Sequence, residues 1–147
     1  MELISPKTKD EFSRYYLLRY NILRKPWKQL PGSEQDESDE NSIHRMIIDS
    51  QNGNALAVGR LHYNSNEEAQ IRYMAVDDDA QGKGIGTEMI TELESIAKQA
   101  NIKWVILQAR ENAVPFYKSN GYEIVKKTHL LFNEIQHWLM KKNLSGS

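Results

Sequence analysis

Cysteine is absent from this chain of 147 residues. Its absence excludes disulfides, thiolate-bound zinc and a cysteine nucleophile. No stretch comes near the ~20 apolar residues that a membrane-spanning helix needs, and the first residues carry no apolar signal core. A surplus of positive charge is also missing, because 19 basic residues face 20 acidic ones. We therefore expect a cytoplasmic protein with no membrane or nucleic-acid partner.

Apolar residues make up 39% of the chain and charged residues 27%, a composition typical of a globular protein. A chain of this length buries enough surface for one hydrophobic core, and neither a repeat nor a linker divides it. We therefore predict a single domain over residues 1–147, with a frayed tail from Leu144 onward.

Hydrophobic periodicity predicts an alternation of strands and helices. A capping-box spacing of Thr8 and Glu11 opens the first helix, and Pro26 follows its end. The predicted strands are residues 2–5, 44–49, 55–63, 69–76, 103–109, 122–128 and 135–142. The predicted helices are residues 9–24, a long one with an apolar stripe over 85–100, and residues 113–119. This order predicts an α/β (α+β) fold of three layers, with a mixed central sheet flanked by helices and a fully buried strand at 103–109.

Five acidic residues lie between Glu34 and Glu40. A charge run of this kind is typical of a solvated loop, and the alternative is an acid-lined rim for a cationic substrate. His44 and His62 are expected to be strand residues without chemistry, since no His, Asp or Glu cluster has the spacing of metal ligands.

The segment that most strongly indicates a ligand lies between a strand and the long helix. It reads Gln81-Gly82-Lys83-Gly84-Ile85-Gly86-Thr87. Its glycines allow close approach of the backbone, and N–H groups at a helix N-terminus favour phosphate. It is not a P-loop, because Lys83 is followed by Gly84, and it lacks the third glycine of a dinucleotide fingerprint. Taken alone, the segment is equally consistent with a structural turn.

Three motifs in order resemble the GNAT superfamily of N-acetyltransferases and cover about half of the chain. Gln81, Gly84 and Gly86 fit its acetyl-CoA signature Gln/Arg-x-x-Gly-x-Gly/Ala, and residues 72–76 resemble the strand that precedes it. Residues 112–117, followed by Asn120-Gly121-Tyr122, resemble its second motif. The resemblance implies a GNAT-like fold, acetyl-CoA as the cofactor and an acyltransferase activity.

The resemblance also implies roles for single positions. The backbone of residues 74–76 (Met74, Ala75 and Val76) is implied to bind the pantetheine amides and the oxyanion. The N–H groups of Gln81, Gly82, Lys83, Gly84, Ile85, Gly86 and Thr87 are implied to hold the pyrophosphate, with Lys83 as an added charge or a solvent-exposed side chain. Asn112 and Phe116 belong to the implied cofactor site. Tyr117 is the implied general acid for the leaving thiolate.

The sequence indicates the base that would deprotonate the incoming ammonium less clearly than it indicates the general acid. Histone-modifying members place a glutamate on the fourth strand, where this chain has Gln70, so the chain departs from that pattern. His137 lies in an ending that resembles the His-x-x-Met of some small bacterial members, and histidine suits a base near neutral pH. Glu68 and Glu111 are the alternatives, and a base is unnecessary if the amine binds neutral.

We therefore predict an acetyl-CoA-dependent N-acetyltransferase in which a primary amine, on a small molecule or a peptide, attacks the thioester directly. The alternatives are an inactive acyl-CoA-binding sensor or regulatory subunit, which Gln70 favours, and an interaction domain whose glycine turn binds nothing. Trp27 either anchors the acidic loop or lines the acceptor pocket, because the first-helix region flanks that entrance in the family. A homodimer is left open, because the last strands of such folds often pair between subunits.

Overall fold

Seven strands and three helices alternate along residues 1–144, the part of the chain that the computed structural model describes. The helices are α1 (Lys9–Leu23), α2 (Ile85–Gln99) and α3 (Val114–Ser119). The strands are β1 (Glu2–Ile4), β2 (Ile43–Ile48), β3 (Ala55–Tyr63), β4 (Glu68–Val76), β5 (Trp104–Arg110), β6 (Glu123–Leu131) and β7 (Ile135–Asn143). All the predicted elements are present within a few residues of their expected bounds. Most of the tail predicted to fray lies outside the described residues.

The strands form one mixed sheet in the order β1-β2-β3-β4-β5-β7-β6. β1 and β2 pair antiparallel, as do β2 and β3, and β7 pairs antiparallel with both β5 and β6. β4 and β5 pair parallel, from Glu68 opposite Trp104 to Ile71 opposite Leu107. A parallel pair needs a crossover connection, and α2 supplies it. The predicted α/β fold with a mixed sheet is confirmed.

Residues of the chain cluster into two compact units. Unit 1 comprises Met1–His62 and Tyr73–Leu93, and unit 2 comprises Tyr63–Arg72 and the chain from Glu94 onward. In unit 1, buried apolar side chains of α1, β2, β3 and β4 pack together. In unit 2, β5 alternates buried and half-buried positions, so the apolar run predicted to be buried on both faces is buried fully on one face only.

Local sequence explains where α1 begins. The Thr8 hydroxyl accepts a hydrogen bond from the Glu11 N–H at 3.0 Å, and the Glu11 carboxylate accepts one from the Thr8 N–H at 3.1 Å. This reciprocal arrangement satisfies N–H groups that have no partner inside the helix. The capping box predicted from the spacing is confirmed.

The acidic segment between α1 and β2 differs from a solvated loop, and that prediction was wrong for three of its five acids. Arg60 Nη1 lies 2.6 Å from Asp36 Oδ1 and 3.0 Å from Asp39 Oδ1, and Arg19 Nη1 lies 3.0 Å from Asp39 Oδ1. Both arginine side chains are fully buried, so the two aspartates are their counter-ions. Glu34 is buried as well, whereas the remaining two acids, Glu37 and Glu40, are exposed.

Asp39 is the centre of this arrangement, which we call the arginine cluster (Arg19, Arg60, Asp36 and Asp39). Burial opposes its charge, but the hydrogen bond from the Asp36 N–H, the charge of Arg19 and hydrogen bonds from both arginines outweigh burial and lower its pKa. The side chain of Asp39 is only 8% exposed, so little solvent screens these interactions. The cluster therefore ties the 3₁₀ turn Glu37–Asn41 to α1 and β3.

We expect Asp39→Asn to destabilise the protein by about 3–5 kcal/mol, because it leaves two buried guanidinium groups short of a counter-charge. The measurement is the midpoint of urea unfolding at neutral pH. Glu40→Gln makes the same charge change on the same turn at an exposed position, and it should shift the free energy of unfolding by no more than about 0.5 kcal/mol. Equal midpoints for the two variants would contradict the role of the cluster.

The pH dependence follows from the lowered pKa of Asp39. The stabilisation is present above the pKa of the unfolded aspartate and is lost as the pH falls through the lower folded value. The difference in stability between wild type and Asp39→Asn should therefore shrink in acid, below about pH 4. Urea unfolding repeated over that range measures it.

Candidate active site

The glycine turn (residues 81–87) leads directly into α2. Gly82 and Gly84 both have φ of +78°, a backbone conformation that L side chains rarely adopt. A Cβ placed on either glycine would meet no atom within 4 Å, so open space lies beside the backbone there. Glycine is needed at these two positions for conformation, while Gly86 lies inside the helix.

The start of α2 has N–H groups that find no acceptor within the helix. The Gly84 carbonyl accepts the Glu88 N–H at 3.0 Å, which makes Gly84 the residue from which the helical hydrogen bonds begin. The N–H groups of the first turn have no acceptor inside the helix, and they form its positive dipole end. Residues 81–84 are exposed. The turn therefore fits a phosphate group through its backbone, as at other helix N-termini.

Not every side chain of the turn faces the open space. Ile85 is buried, so its contribution to a ligand is limited to its N–H. The Gln81 amide lies 3.3 Å from Asp78 Oδ1 and so turns back toward its own chain. Lys83 and Thr87 are exposed, and their side chains are available to solvent or to an anion.

Ahead of the turn, β4 contains a residue in the left-handed region, Tyr73, with φ of +52°. Such a conformation is uncommon for a side chain of this size and needs support from its surroundings. The guanidinium carbons of Arg19 and Arg60 lie 4.2 and 5.0 Å from the centre of the Tyr73 ring. The Tyr73 hydroxyl donates to Asp36 Oδ2 at 3.2 Å. The arginine cluster thus holds Tyr73 immediately before residues 74–76, the predicted pantetheine strand.

Sequence reasoning missed the role of Tyr73. No turn residue marks the position, and its left-handed φ depends on partners far away in the chain. One signal was available, because Arg60 follows five uncharged residues, 55–59, of the strand Ala55–Tyr63. A charged residue in such a strand needs a buried counter-ion.

In unit 2, Tyr117 lies on α3 and is buried. Its ring packs edge-on against Phe116 and Tyr122, at centroid distances of 5.1 and 5.9 Å. Burial raises the pKa of Tyr117 to about 12, and the charge of Arg110 opposes that rise. The phenol therefore keeps its proton at neutral pH. Asn112 is exposed on the 3₁₀ turn that precedes α3.

His137 is buried on β7, opposite Arg110 of β5. Its Nδ1 lies 3.0 Å from the Ile135 carbonyl oxygen. A carbonyl oxygen only accepts, so Nδ1 carries a proton and Nε2 is the nitrogen that can take one up. The His129 ring stacks on His137 with a centroid distance of 4.3 Å, a contact that sequence reasoning missed.

The alternative bases differ in their surroundings. The Glu68 carboxylate accepts hydrogen bonds from Trp104 Nε1 and Asn64 Nδ2, both at 2.8 Å. Asn64 also donates to Gln70 Oε1 at 3.1 Å. Glu68 and Gln70 therefore belong to one structural network within unit 2, and Glu111 is exposed.

His44 lies in a different network, inside unit 1. Its Nε2 donates to the Asp39 carbonyl at 2.7 Å, and its Nδ1 lies 2.7 Å from the Tyr15 hydroxyl. Burial lowers the pKa of His44, so the ring is neutral at neutral pH and Nδ1 accepts from Tyr15. This arrangement gives His44 a structural role.

The family model described as "Acetyltransferase (GNAT) family" matches residues 7–122. The chain belongs to the GNAT family. It is 24% identical over 144 residues to the uncharacterized N-acetyltransferase YjcF of Bacillus subtilis (strain 168), covering 97% of this chain and 100% of that protein. The sequence-based identification of the family is confirmed.

Solved structures share the fold. An aminoglycoside 6'-N-acetyltransferase complexed with coenzyme A matches with a TM-score of 0.81 at 14% identity, covering 100% of this chain and 99% of that one. Escherichia coli ElaA matches with a TM-score of 0.77 at 22% identity, covering 96% of this chain and 97% of that one.

Membership of the GNAT family makes the chain an acyltransferase. Within residues 1–144, no helix has the length and apolar character to cross a membrane.

The glycine turn yields a stability prediction. Gly84→Ala should cost about 1–2 kcal/mol, because alanine is strained at a left-handed φ although space for its Cβ is open. Gly84→Asn should cost less, since asparagine adopts this conformation more readily. Urea unfolding of the two variants measures the difference. Equal losses would mean that the backbone conformation of Gly84 is not the constraint.

Proposed function

We propose that this member of the GNAT family transfers an acetyl group from acetyl-CoA to a primary amine, on a small molecule or a peptide. The observation that carries the proposal is the pair of left-handed glycines, with open space beside them, at the N-terminus of α2. The aminoglycoside 6'-N-acetyltransferase that shares the fold is complexed with coenzyme A, which supports the same cofactor here. The family match over residues 7–122, which runs through parts of both units, supports a single catalytic domain.

The proposed cofactor contacts are mainly backbone contacts. The N–H groups of residues 81–87 would hold the pyrophosphate, because the dipole of α2 and its unpaired N–H groups favour an anion. Lys83, exposed on that turn, would add a point charge. The peptide groups of Met74, Ala75 and Val76 would bind the amides of the pantetheine arm, and Asn112 and Phe116 would contact the same arm.

When bound, acetyl-CoA would supply the thioester carbonyl that the amine attacks, with the coenzyme thiolate as the leaving group. A backbone N–H within residues 74–76 would stabilise the negative charge that develops on the carbonyl oxygen. Tyr117 would give its hydroxyl proton to the departing sulfur, and its raised pKa keeps that proton available. His137 would accept the proton that the amine loses, at Nε2, since Nδ1 is already protonated.

An inactive acyl-CoA-binding protein is the second candidate. Gln70 favours it, because a glutamine cannot act as a base where histone-modifying members have a glutamate. This candidate shares the cofactor site with the first and differs only in turnover, so binding and catalysis must be measured separately.

Cofactor binding is tested by thermal unfolding with acetyl-CoA, AMP or NAD. A ligand present at ~100 times its dissociation constant stabilises the folded protein by ~2.7 kcal/mol. We expect that shift for acetyl-CoA, and a clearly smaller one for AMP and NAD at equal concentration. No shift at millimolar acetyl-CoA would overturn both the enzyme and the sensor.

Catalysis is tested by Tyr117→Phe. We expect kcat to fall by about 10²–10⁴-fold, the usual contribution of a general acid, while the Kd of acetyl-CoA stays near the wild-type value. Thiol release measures kcat and calorimetry measures Kd.

Tyr122→Phe is the matched control, because it removes a hydroxyl that donates to Glu94 at 2.8 Å and should affect stability more than kcat. Wild-type turnover in Tyr117→Phe would exclude the general-acid role, and turnover absent from the wild type with every amine tested would favour the sensor.

A further inference from the structure

A pocket opens in unit 1, between one face of α1 and residues 31–35. It is a shallow pocket that is largely open to solvent, with a volume of about 430 Å³. Neither the glycine turn nor residues 74–76 contribute to its lining. The proposed cofactor contacts therefore do not account for it.

The pocket contains a buried carboxylate, Glu34, which is only 4% exposed. Its Oε1 accepts the Gly32 N–H and its Oε2 accepts the Gln35 side-chain amide, both at 2.8 Å. Both donors are neutral, and no ion pair reaches this carboxylate from any residue in the range 1–144. Arg19 binds the backbone carbonyl of Glu34 instead, and its charge is paired with Asp39. A buried carboxylate without a cation is costly, so a positively charged ligand would be stabilised there.

Aromatic rings form the facing wall. Phe12, Tyr16 and Tyr20 follow at intervals of four residues, which places them along one face of α1. The rings of Phe12 and Tyr16 are stacked, with centroids 5.9 Å apart. Aromatic faces attract cations, and the Arg19 guanidinium carbon already lies 5.1 Å from the centre of the Tyr16 ring. The exposed side chain of Leu17 adds apolar surface at the same pocket.

We propose that this pocket binds a small organic ammonium ion, with its charge toward Glu34 and its hydrocarbon part against the rings of α1. The combination of one unpaired carboxylate with aromatic and aliphatic walls selects a cation that carries apolar groups over a bare metal ion or an anion. Lys9, exposed among the lining residues, opposes such a ligand with its own charge. The proposal concerns binding alone and does not depend on acetyl transfer.

The first test uses n-butylammonium on the whole wild-type protein without coenzyme, with 1-butanol and butyrate as neutral and anionic controls. Amide chemical shifts in NMR titrations report both the affinity and the place of binding. We expect saturable shifts for butylammonium at residues 9–20 and 31–35, and weaker or no binding of the other two compounds. Absence of those shifts, or equal binding of butyrate, would overturn the proposal. Because no coenzyme is present, either result leaves the acetyl-transfer proposal untouched.

The second test uses charge variants of opposite expected sign. Glu34→Gln should weaken butylammonium binding by about tenfold or more, the effect of losing a charged hydrogen-bond partner. Glu37→Gln, an equal charge change at an exposed position outside the pocket, should leave the affinity unchanged. Lys9→Gln should strengthen binding, and it remains informative if Glu34→Gln does not fold. Weaker binding in Lys9→Gln, or equal effects of the two glutamate variants, would contradict the site.

Discussion

Burial of two guanidinium groups in unit 1 is the constraint on which the rest of that unit depends. Arg19 and Arg60 are removed from water, a transfer that costs several kcal/mol for each ion unless counter-charges compensate it. Asp36 and Asp39 supply those charges from the segment between α1 and β2. The segment therefore cannot move into solvent without leaving two buried charges unpaired, and these ion pairs hold it against α1 and β3.

This constraint reaches two sites of unit 1. Tyr73 packs its ring against both arginines and hydrogen-bonds Asp36, so the cluster supports the left-handed residue that precedes the proposed pantetheine strand. Arg19 Nη1 also donates a hydrogen bond to the backbone carbonyl oxygen of Glu34 at 3.0 Å, beside the pocket on α1. Residues of the arginine cluster thus contact both the strand next to the glycine turn and the segment that lines the pocket beside α1.

The proposed catalytic groups use two contrasting environments. Residues 81–84 of the glycine turn are exposed, and the N–H groups at the start of α2 suit a highly charged ligand that remains partly solvated. Tyr117 is buried, and burial keeps its phenol protonated, which suits a proton donor. His137 is buried too, and its tautomer is set by the Ile135 carbonyl. These are the environments in which we propose that the three groups act.

Much of the fold was already determined by the sequence alone, because the relevant signals are local. The capping box of Thr8 and Glu11, the apolar stripe of α2 and the glycine turn each depend on residues within one or two turns of each other. The glycine turn and the motif around Tyr117 were also sufficient to identify the family.

The tertiary structure decided which charges meet. Asp39 pairs with arginines 20 and 21 positions away, on either side of it in the chain. Hydrophobic periodicity indicates which residues are buried but carries no information about their distant partners. The buried acids, the conformation of Tyr73 and the Glu34 pocket therefore became apparent only in the folded chain.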